Sequence, residues 1–201
     1  MSLKVAVTGN IGSGKTLVCK LFEKLNVPVF YTDLAAKDAY QLPAIKIQMI
    51  ERFGAQIYSK EGFLNKKQLA DLIFKDADSL AFVEEKIHPE VIKKYSEWLL
   101  QHRNYPFTIY EAAILFEKNR NLDFDCVIYI SAPEHLRLAR IMHRDNADEA
   151  SIRLRMQKQW PDEVKIPLSH FVILNDGKND LSGQVKKISE LLADFPIRNQ
   201  H

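Results

Sequence analysis

Apolar side chains follow two rhythms along the chain, short dense runs and longer stretches spaced by three and four. The dense runs are Leu3-Lys4-Val5-Ala6-Val7-Thr8, Val27-Pro28-Val29-Phe30-Tyr31, Phe107-Thr108-Ile109-Tyr110, Asp125-Cys126-Val127-Ile128-Tyr129-Ile130 and Phe171-Val172-Ile173-Leu174. Each reads as a strand. Pro28 puts the second at a sheet edge or near the strand start. Helical spacing links Leu17, Val18, Leu21, Phe22 and Leu25, and Asn26 suits a left-handed cap after them. Further helices are expected from Leu34 to about Leu42, through Ile45, Met49, Ile50 and Phe53 as far as Gly54, around Leu69, Leu72, Ile73 and Phe74, and over 181–192. A turn is expected through Lys60-Glu61-Gly62. Another helix is expected to begin near His88-Pro89-Glu90, with the proline in its first turn, and to run through Val91, Ile92, Tyr95, Trp98 and Leu99. Residues 194–201 read as a frayed tail.

Strand, crossover and strand in repetition imply an α/β fold: a parallel sheet of about five strands with helices on both faces. Between the second and third strands the chain is helical, material for an inserted subdomain. Residues 137–165 are different again. Arg137, Arg140, Arg144, Arg153, Arg155, Lys158 and Lys165 stand there among Asp145, Asp148, Glu149, Asp162 and Glu163. A helical pair of mixed charge is first of all a solvated face, and the sharper alternative is an arginine-bearing lid.

The first strand runs into Gly9-Asn10-Ile11-Gly12-Ser13-Gly14-Lys15-Thr16 and then a helix, which is G-x-x-x-x-G-K-[ST] in its confirming context. Glycine lets such a loop curl until successive backbone N–H groups point at phosphate oxygens, and the helix dipole adds to the attraction. Residues 10–17, from Asn10, Ile11, Gly12, Ser13 and Gly14 to Leu17, are therefore candidate contacts for a nucleoside triphosphate. Lys15 reaches the β and γ phosphates, and the Thr16 hydroxyl offers a ligand to Mg²⁺. Asp33 follows the second strand and reads either as a helix cap or as a catalytic carboxylate. Glu111 closes the third strand, where an acid could hold a metal-bound water. Asn175, before Gly177, either borders the adenine or makes a turn.

Composition narrows the setting. With 28 basic against 26 acidic residues, the net charge of +2 gives no overall case for nucleic acid. Cys19 and Cys126 lack metal-ligand spacing and read as reduced core residues, with a disulfide left open. Strand residues start beside Met1, leaving no room for a signal peptide, and no apolar run reaches membrane-spanning length. A cytoplasmic protein without membrane, nucleic-acid or obligate protein partner is expected.

A GTP switch needs D-x-x-G after an early strand and N-K-x-D after a later one. The D-x-x-G here is Asp180-Leu181-Ser182-Gly183, beyond the last strand, and N-K-x-D is absent. An assembly module needs neither an acid after the second strand nor an arginine-rich segment. The chain resembles the dephospho-CoA kinases over 3–192. It carries their T-G-x-I-G-S-G-K-[ST] opening as Thr8 to Thr16, Asp33 from their D-A-D, and Phe53-Gly54, Gly62 with Leu64, and Phe74. His88-Pro89, Leu115-Phe116-Glu117, Arg140 with Arg144, Gln159, and Asn175 with Gly177 complete the match. It departs at Tyr31, where the family has its first acid; at Lys66, usually arginine; at Ala113, usually proline; and at Ser169-His170, usually Ala-Asp.

The resemblance implies one P-loop kinase domain: a core of 1–34, 106–136 and 166–193, a helical acceptor-binding insertion at 35–105, and a lid at 137–165. It implies transfer of the γ-phosphoryl group of ATP, with Mg²⁺, to the ribose 3′-hydroxyl of dephospho-CoA. Asp33, Lys15 and Arg140 would be catalytic, Arg140, Arg144 and Asn175 would join the loop in binding ATP, and Asp33, Lys66, His88 and Glu111 would meet the acceptor. A nucleoside or nucleoside-monophosphate kinase would share the loop, Asp33 and the lid.

Overall fold

The structure, a computed structural model, describes residues 2–73 and 76–195. Phe74 of the family pattern and 196–201 of the expected tail lie outside the described residues. The chain divides into two compact units, Thr32–Leu100 and the remainder, Met1–Tyr31 with Gln101–His201.

The larger unit is built on five parallel strands: β1 (Leu3–Thr8), β2 (Val29–Tyr31), β3 (Phe107–Glu111), β4 (Cys126–Ser131) and β5 (Phe171–Leu174), in the spatial order β2-β3-β1-β4-β5. Val5 sits between Ile109 and Cys126, so β1 is central, and its side chains are buried on both faces except for half-buried Lys4. A parallel strand buried on both faces reads as a nearly unbroken apolar run, which is why this stretch stands out in the sequence. On one face Leu3, Val5 and Val7 join Ile109, Ile128, Ile130 and Ile173. They pack under α1 (Lys15–Lys24) and α9 (Leu181–Ala193) through Val18, Cys19, Phe22, Val185, Ile188 and Leu192. Both cysteines are free and buried in this core. Burial pushes the Cys126 thiol up to about 12, with Asp125 adding to it.

Pro28 stands just before the edge strand β2 and lends its carbonyl to Ile109 N–H at 2.9 Å. Val27 is outside the strand, its N–H returning to Phe22 O at 3.2 Å. Asn26 takes a left-handed φ of 60°, as its place after α1 predicts. Beyond β4, α6 (Glu134–Asp145), α7 (Glu149–Gln157) and the short α8 (Asp162–Lys165) carry the charge-dense segment. The solvated-face reading holds for Arg144, Arg153 and Arg155, which pair with Asp145, Glu134 and Glu149. It fails for Arg137 and Lys165, which are 9% and 0% exposed. A charge can be buried only with partners, and both face Asp162 or residues bonded to it.

The smaller unit consists of α2 (Thr32–Ala39), α3 (Pro43–Phe53), a 3₁₀ turn at Ala55–Ile57, α4 (Lys66–Ile73) and nearly all of α5 (Ala77–Gln101). Gly54 ends α3 with φ 85°, and Gly62 turns a bridged pair, Tyr58 and Leu64, at the same φ. The expected helix start at His88-Pro89 is corrected: α5 begins eleven residues before His88 (88 minus 77), and Pro89 lies inside it. Ser79, Val83, Ile87, Val91 and Tyr95 form a buried stripe at intervals of four that passes straight through the proline. Packing along that stripe outweighs the missing N–H donor. The true start is marked by Asp76, whose carboxylate accepts from Ser79 N–H at 3.1 Å.

Candidate active site

The loop over 9–16 leaves β1 and enters α1 in the conformation its glycines predict. Gly12 has φ 80° and Gly14 φ 94°, both in the left-handed region. A side chain at Gly12 would meet the Arg137 carbonyl at 2.7 Å, and one at Gly14 would run into the Asn175 carboxamide. The curl is closed by Ser13 N–H bonding Asn10 O at 3.0 Å, and α1 starts with Val18 N–H to Gly14 O at 3.1 Å. Lys15 Nζ folds back to Gly9 O at 2.8 Å. Thr16 and Leu17 are exposed.

Side chains from distant elements hold the loop's outward carbonyls. Asn175, after β5, donates Nδ2–H to Ser13 O at 2.8 Å. Arg140 of α6 donates to Gly12 O at 3.4 Å and to Asn175 O at 3.1 Å. Arg140, Asn175 and the loop are thus brought together. Arg144 is turned to the surface, where it bonds Asp145 at 2.6 Å through Nε.

At the loop's leading edge stands a set that the spacing of the sequence did not single out. The Asn10 carboxamide donates to Asp162 Oδ1 at 2.7 Å and to Trp160 O at 3.2 Å, and accepts from Lys165 Nζ at 2.7 Å. Ile11 N–H bonds Gln159 Oε1 at 2.7 Å. Glu117 accepts from Trp160 N–H at 3.1 Å and pairs with Lys165. Of these residues, Gln159 and Glu117 stand in the sequence resemblance; Lys165 and Asp162 read only as members of a charged stretch. Asp162 also accepts from Tyr129 Oη at 2.9 Å and Ser131 Oγ at 3.0 Å. Burial, with Asp162 beside it, pushes the Tyr129 hydroxyl well above its ordinary range. A cavity of about 660 Å³ opens against Asn10, Arg137, Trp160 and Asp162.

Glu111 ends β3 in register with Val7 on one side and Tyr31 on the other, and is 8% exposed. Burial and the nearby Glu111 carboxylate push the Cys19 thiol well up. Asp33 lies in the first turn of α2, two residues beyond β2 (33 minus 31), and is exposed. In the same smaller unit Lys66 opens α4 and His88 sits midway along α5, both exposed. The Thr16 hydroxyl is an oxygen donor of the kind Mg²⁺ prefers, and Mg²⁺ usually takes few protein ligands beside water and phosphate oxygens. An exposed hydroxyl at the start of α1 fits that donor set.

The model of the family described as dephospho-CoA kinase matches residues 3–180. A dephospho-CoA kinase of Bacteroides fragilis strain YCH46 is 34% identical over 194 residues, covering 96% of this chain and 93% of the relative. One from Chlorobaculum tepidum is 35% identical over 200 residues, covering 96% of each. Among solved structures, a protein from Thermus thermophilus superposes with a TM-score of 0.81 at 27% identity, covering 98% of this chain and 99% of that one. The dephospho-CoA kinase from Campylobacter jejuni, at 23% identity, gives 0.70 with 96% and 98% covered, a likeness of fold. A phosphate loop braced from β5 and α6, within a match that spans nearly the whole chain, leads to one assignment: the chain belongs to the dephospho-CoA kinase family.

Proposed function

We propose that this protein transfers the γ-phosphoryl group of ATP to the ribose 3′-hydroxyl of dephospho-CoA, yielding CoA and ADP, in the cytoplasm and with Mg²⁺. The observation that carries this reading is the family match over residues 3–180. The shape of the loop supports it, since left-handed glycines at 12 and 14 are what a backbone anion cradle requires.

Phosphoryl transfer asks a protein mainly to position and to neutralise charge. The loop's N–H groups and the Lys15 ammonium hold the nucleotide's phosphates. Arg140, already beside Gly12 and Asn175, adds a planar guanidinium suited to phosphate oxygens. Thr16 would hold Mg²⁺, which when bound neutralises charge on the β and γ oxygens. Asp33 orients the acceptor hydroxyl and accepts its proton, work an amide could not do. Lys66, His88 and Glu111 are acceptor contacts in this reading, with Lys66 a point charge where the family's usual arginine offers a two-pronged fork.

Incubation of the purified protein with Mg-ATP and separate acceptors tests the assignment through ADP release. Dephospho-CoA is expected to be phosphorylated far faster than nucleosides or nucleoside monophosphates. Preference for a nucleotide acceptor, or no ADP with any acceptor, rejects it.

A further inference from the structure

Asn10 is 4% exposed, and its carboxamide is gripped at both ends. Lys165 can only donate and the Asp162 carboxylate can only accept, so together they fix which end of the amide points where. The lysine is fully buried, a costly place for an ammonium, and is kept there by Glu117 and Asn10. Asp162 is held in turn by Tyr129 and Ser131, and Arg137 approaches it at 3.9 Å. One residue along, Gln159 takes the Ile11 N–H. The leading edge of the loop is therefore tied to residues 159–165, about 150 positions away in sequence.

The backbone of the same residue shapes the cradle, because Asn10 O receives Ser13 N–H. Fixing the Asn10 carboxamide at both ends restrains the backbone whose carbonyl sets the turn from 10 to 13. Small misplacements of groups that position substrate cost rate steeply, up to about a hundredfold for 1 Å.

We propose that Lys165 and Asp162 are positioning residues for phosphoryl transfer: they clamp the Asn10 carboxamide and thereby hold the loop in its anion-receptive shape. Neither is a catalytic residue, since both act through Asn10. The inference rests on residues 9–16 being the site of the ATP phosphates.

A double-mutant cycle tests it, with Asn10→Ala, Lys165→Met and the double variant compared for Mg-ATP affinity by calorimetry and for kcat and KM. Each single variant is expected to bind Mg-ATP about tenfold more weakly than the parent. The double variant is expected to be no weaker than the poorer single, because both substitutions break one device. Urea midpoints separate this from loss of fold, which would lower all affinities together with the folded fraction. If Lys165→Met does not fold, Asp162→Ala replaces it in the same cycle. Its side chain is 18% exposed and its loss leaves Lys165 paired with Glu117, but buried Arg137 loses the carboxylate at 3.9 Å, so the urea midpoint of this variant is read beside its affinity. Affinity within twofold of the parent in the folded Lys165 or Asp162 variant, or losses that multiply in the double variant, overturns the inference. Failure of the parent itself to bind Mg-ATP would overturn the cradle reading and this inference with it. Binding by the parent without transfer to dephospho-CoA would reject only the acceptor assignment.

Discussion

Asn175 and Gly14 are interlocked: the Asn175 carboxamide occupies the space a Gly14 side chain would need, while its Nδ2–H bonds the neighbouring Ser13 carbonyl at 2.8 Å. Two consequences can be measured. Gly14→Ala would place a β-carbon at φ 94°, a left-handed conformation that costs roughly 1–2 kcal/mol, and would also displace Asn175. Asn175→Ala would leave a buried carbonyl without its donor, a loss of about 1–3 kcal/mol. Calorimetry with Mg-ATP is expected to show at least a tenfold loss of affinity for either variant. Unchanged affinity in both would mean the interlock has no part in nucleotide binding.

Lys15 and Asp33 are expected to fail in different ways. In the proposed mechanism Lys15 leaves Gly9 O for the transferring phosphate, and Lys15→Ala is expected to cost about a hundred- to a thousandfold in kcat. Asp33→Asn should leave Mg-ATP affinity within a few fold while kcat collapses, because the amide cannot take the hydroxyl proton. Steady-state assays with dephospho-CoA decide it, and an Asp33→Asn variant with parental kcat would reduce Asp33 to an acid favouring the first turn of α2.

Features whose requirements are local could be read from the chain alone. The phosphate loop is specified within eight residues, from Gly9 to Thr16, and the five strands announce themselves as apolar runs even where, as in the edge strands β2 and β5, they are only partly buried. The start of α5 was misread because His88-Pro89 is a strong local signal, whereas the stripe from Ser79 to Tyr95 shows its meaning only when packed. Asp76 with Ser79 three residues on was the available clue. Lys165 could not be found at all. Nothing beside it distinguishes it from Lys158, and its burial is decided by Asn10, 155 positions away. Arg137 was hidden for the same reason, since its surroundings in sequence are those of a surface helix.

Pro89 interrupts the hydrogen-bond ladder of α5, and a proline in a helix interior costs ~3 kcal/mol. Part of that is returned by its stiffening of the unfolded chain, about 0.4–1 kcal/mol. Pro89→Ala is therefore expected to raise stability by about 2–2.6 kcal/mol, read as a higher urea midpoint with an unchanged slope. A lower midpoint would show that the stripe from Ser79 to Tyr95 depends on the backbone conformation the proline imposes.

Asp145 is held down to about 2 by hydrogen bonds from Arg144 and Arg155 at the end of α6. Its folded value lies below the unfolded one of about 3.9, so the ionised form is favoured by folding. The resulting stability is fully present above about pH 4 and is lost as the pH falls through 2. The carboxylate and both arginines are partly solvated, at 25%, 62% and 46% side-chain exposure, so screening limits the contribution to about 0.5–1 kcal/mol. Urea midpoints of the parent and Asp145→Asn are expected to differ by that amount at pH 6, to converge near pH 2, and to draw together in 1 M salt at any pH. A difference that persists undiminished at pH 2 would show that the site is held by packing of the α6 terminus, with the charge of Asp145 contributing nothing.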